Sequence, residues 1–89
     1  MMPFHVVFSD VALKQLKKLD RPVSALIIGW VEKHLEGCMD PRQKGKALTA
    51  ELRGKWRYRV GDYRLLALIE DDRVLITIVE VGDRKDIYR

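Results

Sequence analysis

Positively charged side chains are concentrated in residues 41–64, where eight lysines and arginines accompany two acidic residues, for a net charge of +6. The rest of the chain carries nine basic and eleven acidic residues, so the overall charge of +4 originates in this segment. A concentrated basic segment attracts phosphate groups, although a merely solvated basic surface has the same composition. The candidate phosphate-binding residues around the predicted strands are Lys44, Lys46, Arg53 and Lys55.

Three arginines of this segment fall on one face of a predicted β-hairpin. The strands Lys55–Val60 and Tyr63–Ile69 are separated by a Gly-Asp dipeptide, a typical two-residue turn. With that turn Arg59 lies opposite Arg64, and the alternation of side chains along a strand places Arg57 on the same face. Two arginines in register repel each other by roughly 0.2–1 kcal/mol, and an anion between them would reverse the sign. Guanidinium groups suit bidentate phosphate binding, so we predict a phosphate site here.

The same arginines have a purely structural alternative. Their side chains could splay into water or pair with Glu51 or Asp83, and solvent-exposed ion pairs contribute little to stability. Charge and spacing alone leave both interpretations open.

The hydrophobic pattern predicts the elements that position these residues. A β-branched and aromatic start is followed by two segments with apolar residues at helical spacing and then by three strand-like segments. Residues 38–51 combine turn signals with little apolar content and are predicted to be a loop. We predict one α+β domain over residues 1–89, with the order β-α-α-β-β-β and a helical hairpin packed on one face of a twisted antiparallel sheet. The predicted bounds are Phe4–Phe8, Asp10–Leu19, Pro22–Leu35, Lys55–Val60, Tyr63–Ile69 and Val74–Val81.

Alternation along the strands also assigns the two faces of the sheet. Trp56, Tyr58 and Val60 continue into the apolar face of the next strand and are predicted to lie under the helices. The helical residues predicted to cover that face are Ala12, Leu13, Leu16 and Leu19, and Val23, Leu26, Ile27, Trp30, Val31 and Leu35, with His34 predicted at the surface or boundary of the second stripe. The opposite face joins the arginines to a predicted apolar strip of Leu66, Leu68, Leu75, Val79 and Val81. A partner protein, a ligand or the C-terminal tail must cover such a strip.

Length and composition restrict the class of protein. With 89 residues the chain has room for one hydrophobic core, and its longest apolar run is far shorter than the ~20 residues that span a bilayer. The start of the chain lacks the pattern of a signal peptide, and a single cysteine, Cys38, suits a reducing compartment. His5 and His34 lack the spacing of a zinc site. We therefore expect a cytoplasmic protein with no metal, no cofactor and no membrane partner.

Three segments carry a resemblance to a known family. They are Leu52–Leu66 (LRGKWRYRVGDYRLL), Glu70–Val74 (EDDRV) and Val81–Arg89 (VGDRKDIYR). In this order they resemble the RelE/ParE superfamily of bacterial toxins, and the RelE branch most closely. The chain length and the predicted order of elements also agree with that superfamily, so the resemblance covers nearly the whole chain.

The resemblance implies the toxin of a type II toxin–antitoxin system. RelE toxins are ribosome-dependent endoribonucleases, or mRNA interferases, which cleave mRNA in the ribosomal A site without a metal ion. A ribose 2′-hydroxyl attacks the adjacent phosphate and leaves a 2′,3′-cyclic phosphate. The implied partners are the ribosome, mRNA and a cognate antitoxin, with the toxin–antitoxin complex of higher order. Two alternatives stay open: a ParE-type inhibitor of DNA gyrase with the same fold and no nuclease activity, and a degenerate toxin without activity.

The resemblance also assigns site residues. The family's catalytic positions correspond here to Arg57, Arg59, Arg64, Arg84 and Tyr88. Arginine replaces the lysine that is common at the first two positions. Because arginine stays protonated, it is not suited to act as a general base, and its implied role is to stabilise the charge on the phosphate. Asp83 stands where many relatives have histidine, and it either acts as the base or pairs with Arg84. Tyr88 is expected to stack on a base. The residues expected to bind the antitoxin are Leu66, Leu68 and Leu75.

Overall fold

A computed structural model of the chain describes residues 2–47 and 55–83, and the elements in these ranges follow the predicted order with one addition. These ranges contain two helices and five strands, and neither helix is long and apolar enough to cross a membrane. The bounds are β1 His5–Phe8, α1 Asp10–Lys18, α2 Arg21–His34, β2 Lys46–Ala47, β3 Lys55–Val60, β4 Tyr63–Glu70 and β5 Leu75–Asp83. The α+β class is confirmed. The addition is β2, which lies in the segment that the sequence predicts to be entirely loop.

The sheet is mixed, with the strand order β1-β5-β4-β3-β2. β1 runs parallel to β5, whereas the other three pairs are antiparallel. The prediction of an antiparallel sheet is therefore wrong at β1. The two helices that follow β1 form a long crossover, which is the kind of connection that parallel strands require.

The hairpin of β3 and β4 has the predicted register. Val60 pairs with Tyr63, and Arg59 pairs with Arg64. Gly61 adopts a φ of +60° in the turn, a conformation that is strained for residues with a Cβ and accessible to glycine. The Gly-Asp turn thus sets the register that aligns the two arginines.

The pairing of β4 with β5 contains a β-bulge. Leu66 pairs with Glu80 and Ala67 pairs with Ile78, so Val79 is the extra residue of β5. An extra residue reverses the alternation of side chains beyond it. Val81 is consequently buried in the core, and its predicted place in the apolar strip on the opposite face is wrong.

Two side chains, one at the N-cap of α1 and one within α1, make hydrogen bonds to the backbone at this bulge. The Ser9 hydroxyl accepts a hydrogen bond from the Ala12 amide at 3.0 Å, which caps α1, and donates to the Val79 carbonyl at 2.9 Å. The Gln15 side-chain oxygen accepts from the Val81 amide at 2.6 Å. The strand β1 ends at Phe8 and pairs with β5 only as far as Ile78. Beyond that point the side chains of Ser9 and Gln15 make the hydrogen bonds to the backbone of β5.

The core lies between the helices and one face of the sheet, and the predicted core faces of β3 and β4 are confirmed. Its buried residues are Phe4, Ala12, Leu16, Ile27, Val31, Leu35, Tyr58, Val60, Leu65, Ala67, Ile76, Ile78 and Val81. Leu13 and Leu26 are 43% and 57% exposed, so their prediction as core residues is wrong. Each follows or precedes a fully buried residue by one position, and one position along an α-helix turns a side chain by about 100°.

Candidate phosphate-binding site

A cleft of about 480 Å³ gathers most of the basic residues that the sequence predicts to bind phosphate. Its lining comes from α2, the loop before β2 and the strands β3 and β4. The lining residues are Trp30, Lys44, Gly45, Lys46, Arg57, Arg59 and Arg64. Five of these described residues are cationic and none is acidic, so the cleft has a positive potential that attracts anions. We call it the basic cleft.

The three arginines of the basic cleft lie in three different environments. Arg59 is exposed, and its Nε donates to the Gly61 carbonyl at 3.3 Å. Arg57 is half-buried. Arg64 is only 5% exposed, and its Nη1 donates to the Tyr63 carbonyl at 3.2 Å. Arg64 therefore does not splay into water.

Trp56 fastens the loop of Lys44 to β3. Its Nε1 donates to the Lys44 carbonyl at 2.6 Å, and the short strand β2 adds the pairing of Lys46 with Arg57. The sequence predicts Trp56 to be core. The structure places it half-buried against the core, with its polar edge directed to the loop, as suits a side chain with one apolar and one polar part.

Gly45 makes this close approach of loop and strand possible. It adopts a φ of +83°, and a Cβ added there would fall against the Arg57 carbonyl oxygen and 2.7 Å from Trp56 Nε1. Any side chain would push the two cationic neighbours of Gly45 away from β3. The sequence identifies Gly45 only as a turn residue.

A second set of contacts anchors the start of the same loop. The Tyr58 hydroxyl donates to the Pro41 carbonyl at 2.5 Å, and burial raises the pKa of Tyr58 well above its ordinary value, so the donor stays protonated. Arg42 donates to both carboxylate oxygens of Asp71, at 2.9 and 2.8 Å. These hydrogen bonds from Arg42 hold the pKa of Asp71 below its usual range. The loop thus bridges the core of β3 and the turn between β4 and β5.

Other predicted site residues lie elsewhere. Lys55 begins β3, pairs with Leu68 and does not line the basic cleft. Asp83 ends β5, is exposed and does not line it either. The predicted residues Arg53, Arg84 and Tyr88 lie outside the described residues, as does Glu51.

Trp30 is a second lining residue, after Gly45, that sequence reasoning missed. Helical spacing predicts it as core, and its ring does contact the buried ring of Tyr58 at a centroid distance of 5.7 Å. Its half-buried side chain also reaches the basic cleft. The available signal is the residue type, because tryptophan is large and seldom fully buried.

The predicted apolar strip is only partly exposed. Leu66 is 2% exposed, so its predicted exposure is wrong. Leu68 is 38% exposed, and Leu75 and Val79 are half-buried. We use the term outer strip for Leu68, Leu75 and Val79.

Comparison with known proteins agrees with the resemblance of the sequence. The profile of the family described as ParE toxin of type II toxin-antitoxin system, parDE, matches residues 6–88. Toxin RelG of Mycobacterium tuberculosis is 36% identical over 88 residues, which cover 99% of each chain. Toxin RelE of the same organism is 30% identical over 87 residues, which cover 98% of this chain and 88% of that protein.

A solved structure supports the same assignment. A chain in the crystal structure of the toxin–antitoxin complex RelBE2 from Mycobacterium tuberculosis superposes with a TM-score of 0.84 at 33% identity. The match covers 92% of this chain and 99% of that chain. Profile, sequence and structure agree over nearly the full length, and the chain therefore belongs to the RelE/ParE toxin superfamily of type II toxin–antitoxin systems.

Proposed function

We propose that the chain is a toxin that cleaves mRNA in the ribosomal A site as a ribosome-dependent endoribonuclease of the cytoplasm. The observation that carries this proposal is the basic cleft, where the described lining contains five cations and no acid. Cleavage of a phosphodiester requires charge stabilisation around the reacting phosphate, whereas inhibition of DNA gyrase by protein binding does not. The basic cleft therefore favours nuclease activity over the ParE-type alternative.

The pairing of Arg59 with Arg64 supports a phosphate at this position. Two guanidinium groups in cross-strand register repel each other, and a phosphate between them would replace repulsion by two attractive contacts. Arg64 is buried, and a charge-assisted hydrogen bond is stronger where water is excluded. Arg57, two residues before Arg59 on the same face of β3, would add a third donor.

The proposed reaction is attack of a ribose 2′-oxygen on the adjacent phosphorus. The bond between O2′ and phosphorus forms while the bond between phosphorus and O5′ breaks. The 2′-hydroxyl loses its proton, the 5′-oxygen gains one, and the products end in a 2′,3′-cyclic phosphate and a 5′-hydroxyl. Arginine stays protonated, so the arginines would stabilise the charge that develops on the phosphate oxygens and would not accept the proton.

The residue types around the basic cleft support a route without a metal ion. Divalent metals bind through carboxylate, imidazole or thiolate groups, and the lining that the structure describes has none of them. No group of three or more His, Cys, Asp or Glu side chains suited to a metal occurs in residues 2–47 and 55–83. Arg84 and Tyr88 complete the proposed site by family resemblance, as a further phosphate contact and a base-stacking residue.

A cognate antitoxin is the second proposed partner. The outer strip lies on the same face of the sheet as the arginines, so a partner with apolar anchors and acidic residues would fit both. The toxin–antitoxin complex RelBE2, which contains a similar chain, supports a partner of this kind. Acidic residues of the antitoxin would compete with RNA phosphate for the basic cleft, in a complex of higher order.

The antitoxin surface can be tested with Leu68→Glu, which places a carboxylate in the outer strip. We expect at least about tenfold weaker binding of the antitoxin, since an interface anchor is lost and a charge is buried. Leu26→Glu on α2 is the matched control, because Leu26 is exposed and lies outside the outer strip. Titration of both variants with purified antitoxin is the measurement. Full affinity of Leu68→Glu would place the antitoxin elsewhere.

The nuclease activity can be tested by inducing the chain in cells and mapping the ends of a translated message by primer extension. We expect breaks at codon-linked positions within the reading frame. The same message without its start codon is the control and should remain intact. DNA damage without message cleavage would instead support gyrase inhibition, and the absence of both effects would overturn the proposal.

A further inference from the structure

Trp30 differs in chemistry from the other residues of the basic cleft. Every other side chain that lines the described cleft is a cation, and the remaining lining residue, Gly45, contributes backbone only. Cations recognise the phosphates of a nucleic acid, whereas aromatic faces recognise its bases. An indole in a cation-lined cleft therefore combines both kinds of contact in one place.

The indole of Trp30 is held by two neighbouring rings. Its centroid lies 5.7 Å from Tyr58 at an interplanar angle of 53°, and 5.0 Å from His34 at 47°. Tyr58 is fully buried, and its hydroxyl donates to the Pro41 carbonyl. Because Tyr58 is fixed in the core, Trp30 rests on a rigid support, and a rigid aromatic face loses little conformational entropy when it binds a ligand.

The charge state of His34 keeps this support uncharged. Burial, followed by the positive charges of Lys44 and Lys33, lowers the pKa of His34 below its ordinary value. Its imidazole is then largely neutral at pH 7. The rear of the indole consequently packs against uncharged rings, while its exposed part faces the cationic side chains of the basic cleft.

We propose that Trp30 is a stacking platform for one unpaired base of the RNA strand whose phosphate binds Arg57, Arg59 and Arg64. This inference rests on the proposed function, because it describes how the same cleft holds its substrate. A cleft of about 480 Å³ falls in the range of pockets that hold small ligands, so it has room for a base beside a phosphate. Since every base has a flat π face, stacking on Trp30 contributes affinity for single-stranded RNA with little preference among bases.

The test compares two short probes that carry the same number of phosphates: a 2′-O-methyl oligouridine and a 2′-O-methyl abasic strand in which hydrogen replaces each base. Because both probes resist cleavage, binding is measured without chemistry, by anisotropy of an end label with the purified full chain. We expect the wild-type protein to bind the oligouridine about 5- to 150-fold more tightly than the abasic strand. Trp30→Leu should lose this ratio while its affinity for the abasic strand stays unchanged, and Trp30→Phe should keep much of the ratio because it retains a ring.

Three outcomes would overturn the inference: no preference for the oligouridine in the wild-type protein, an unchanged ratio in Trp30→Leu, or equal loss of affinity for both probes in Trp30→Leu. The last outcome would mean that Trp30 only supports the fold. Arg59→Ala is the matched comparison, since it should weaken both probes equally. Failure of the proposed function would appear separately, as absence of message cleavage by the wild-type chain whatever the binding ratio.

Discussion

The two edges of the sheet differ. At the β1 edge, side-chain and backbone groups of the chain make hydrogen bonds to the strand, whereas the other edge, formed by β3 and the short strand β2 and called the β3 edge below, carries the basic cleft. At β1, the Glu36 carboxylate accepts a hydrogen bond from the Val6 amide at 3.0 Å and lies 2.9 Å from His5 Nδ1. Just before β1, the Phe4 amide donates a hydrogen bond to the Cys38 carbonyl, and the Phe4 carbonyl accepts one from the Gly37 amide. At β3, the neighbouring strand β2 has only two residues, and the indole of Trp56 supplies a further bond to the loop.

We infer from this difference that the β1 edge contributes to the stability of the fold and that the β3 edge contributes to binding. An open strand edge invites pairing with other chains, and at β1 the chain covers that edge with its own groups. At the β3 edge the described residues of β2 pair with two residues of β3, and the space beside them is lined with cations. Substitutions at the β1 side should therefore change stability without affecting RNA, and those at the basic cleft should mainly change RNA binding and cleavage.

The largest effect on stability is expected for Gly45→Ala at the β3 edge. Its Cβ would clash with the Arg57 carbonyl and would require a left-handed backbone, so we expect a loss of at least about 2 kcal/mol, together with weaker RNA binding as the loop moves. Gly37→Ala is the matched control, because its φ of +81° is similar and no atom of the described residues lies within 4 Å of the added Cβ. Denaturant unfolding compares the two, and equal losses would show that the close approach is not required.

An intermediate effect is expected for Ser9→Ala, on the side of the sheet away from the basic cleft. The variant loses both the cap of α1 and the hydrogen bond to the bulge at Val79, so we expect a loss of about 1–2 kcal/mol with cleavage unchanged. Ser24→Ala serves as the control, since its hydroxyl donates to a carbonyl within α2. A large fall in cleavage by folded Ser9→Ala would contradict the separation of the two edges.

The smallest effect is expected for Glu36→Gln at the β1 edge, and it depends on pH. Hydrogen bonds from Val6 and His5 lower the pKa of Glu36 from its ordinary value of 4.5. A carboxyl whose pKa is depressed in the folded state stabilises above its unfolded pKa, and the contribution disappears as pH falls through the folded pKa. Between pH 6 and pH 3 the wild-type chain should therefore lose more stability than Glu36→Gln.

Because Glu36 is exposed, the difference should be at most about 1 kcal/mol. Glu32→Gln removes the same charge from an exposed position of α2 and is the matched control. Denaturant midpoints at both pH values provide the measurement. An identical pH dependence in wild type and Glu36→Gln would exclude this edge contact as a source of stability.

The pairing of Arg59 with Arg64 could be predicted from the sequence because it depends on local chemistry. A Gly-Asp turn fixes the register, and alternation then assigns each side chain to a face. Residue type and charge likewise identified most of the basic cleft. These features require no knowledge of distant parts of the chain.

Features that depend on distant contacts could not be predicted. The burial of Arg64 and Leu66 does not follow from the alternation of β4, since Leu68 lies on the same face of that strand and is 38% exposed. The core position of Val81 follows from a bulge that Ser9 and Gln15 hold from the other end of the sequence. The place of Trp30 in the cleft follows from the docking of α2 beside a loop that Gly45 and Trp56 fasten to β3.

The most direct test of the central claim is the single-turnover rate at which the purified chain cleaves a message bound to ribosomes. Arg59→Ala removes an exposed cation of the basic cleft, and Arg73→Ala removes an exposed cation from the turn between β4 and β5 as a matched control. We predict a rate about 10²- to 10³-fold lower for Arg59→Ala, at unchanged stability, and a rate near wild type for Arg73→Ala. Cleavage by folded Arg59→Ala at the wild-type rate would contradict the assignment of the basic cleft as the site of phosphate cleavage.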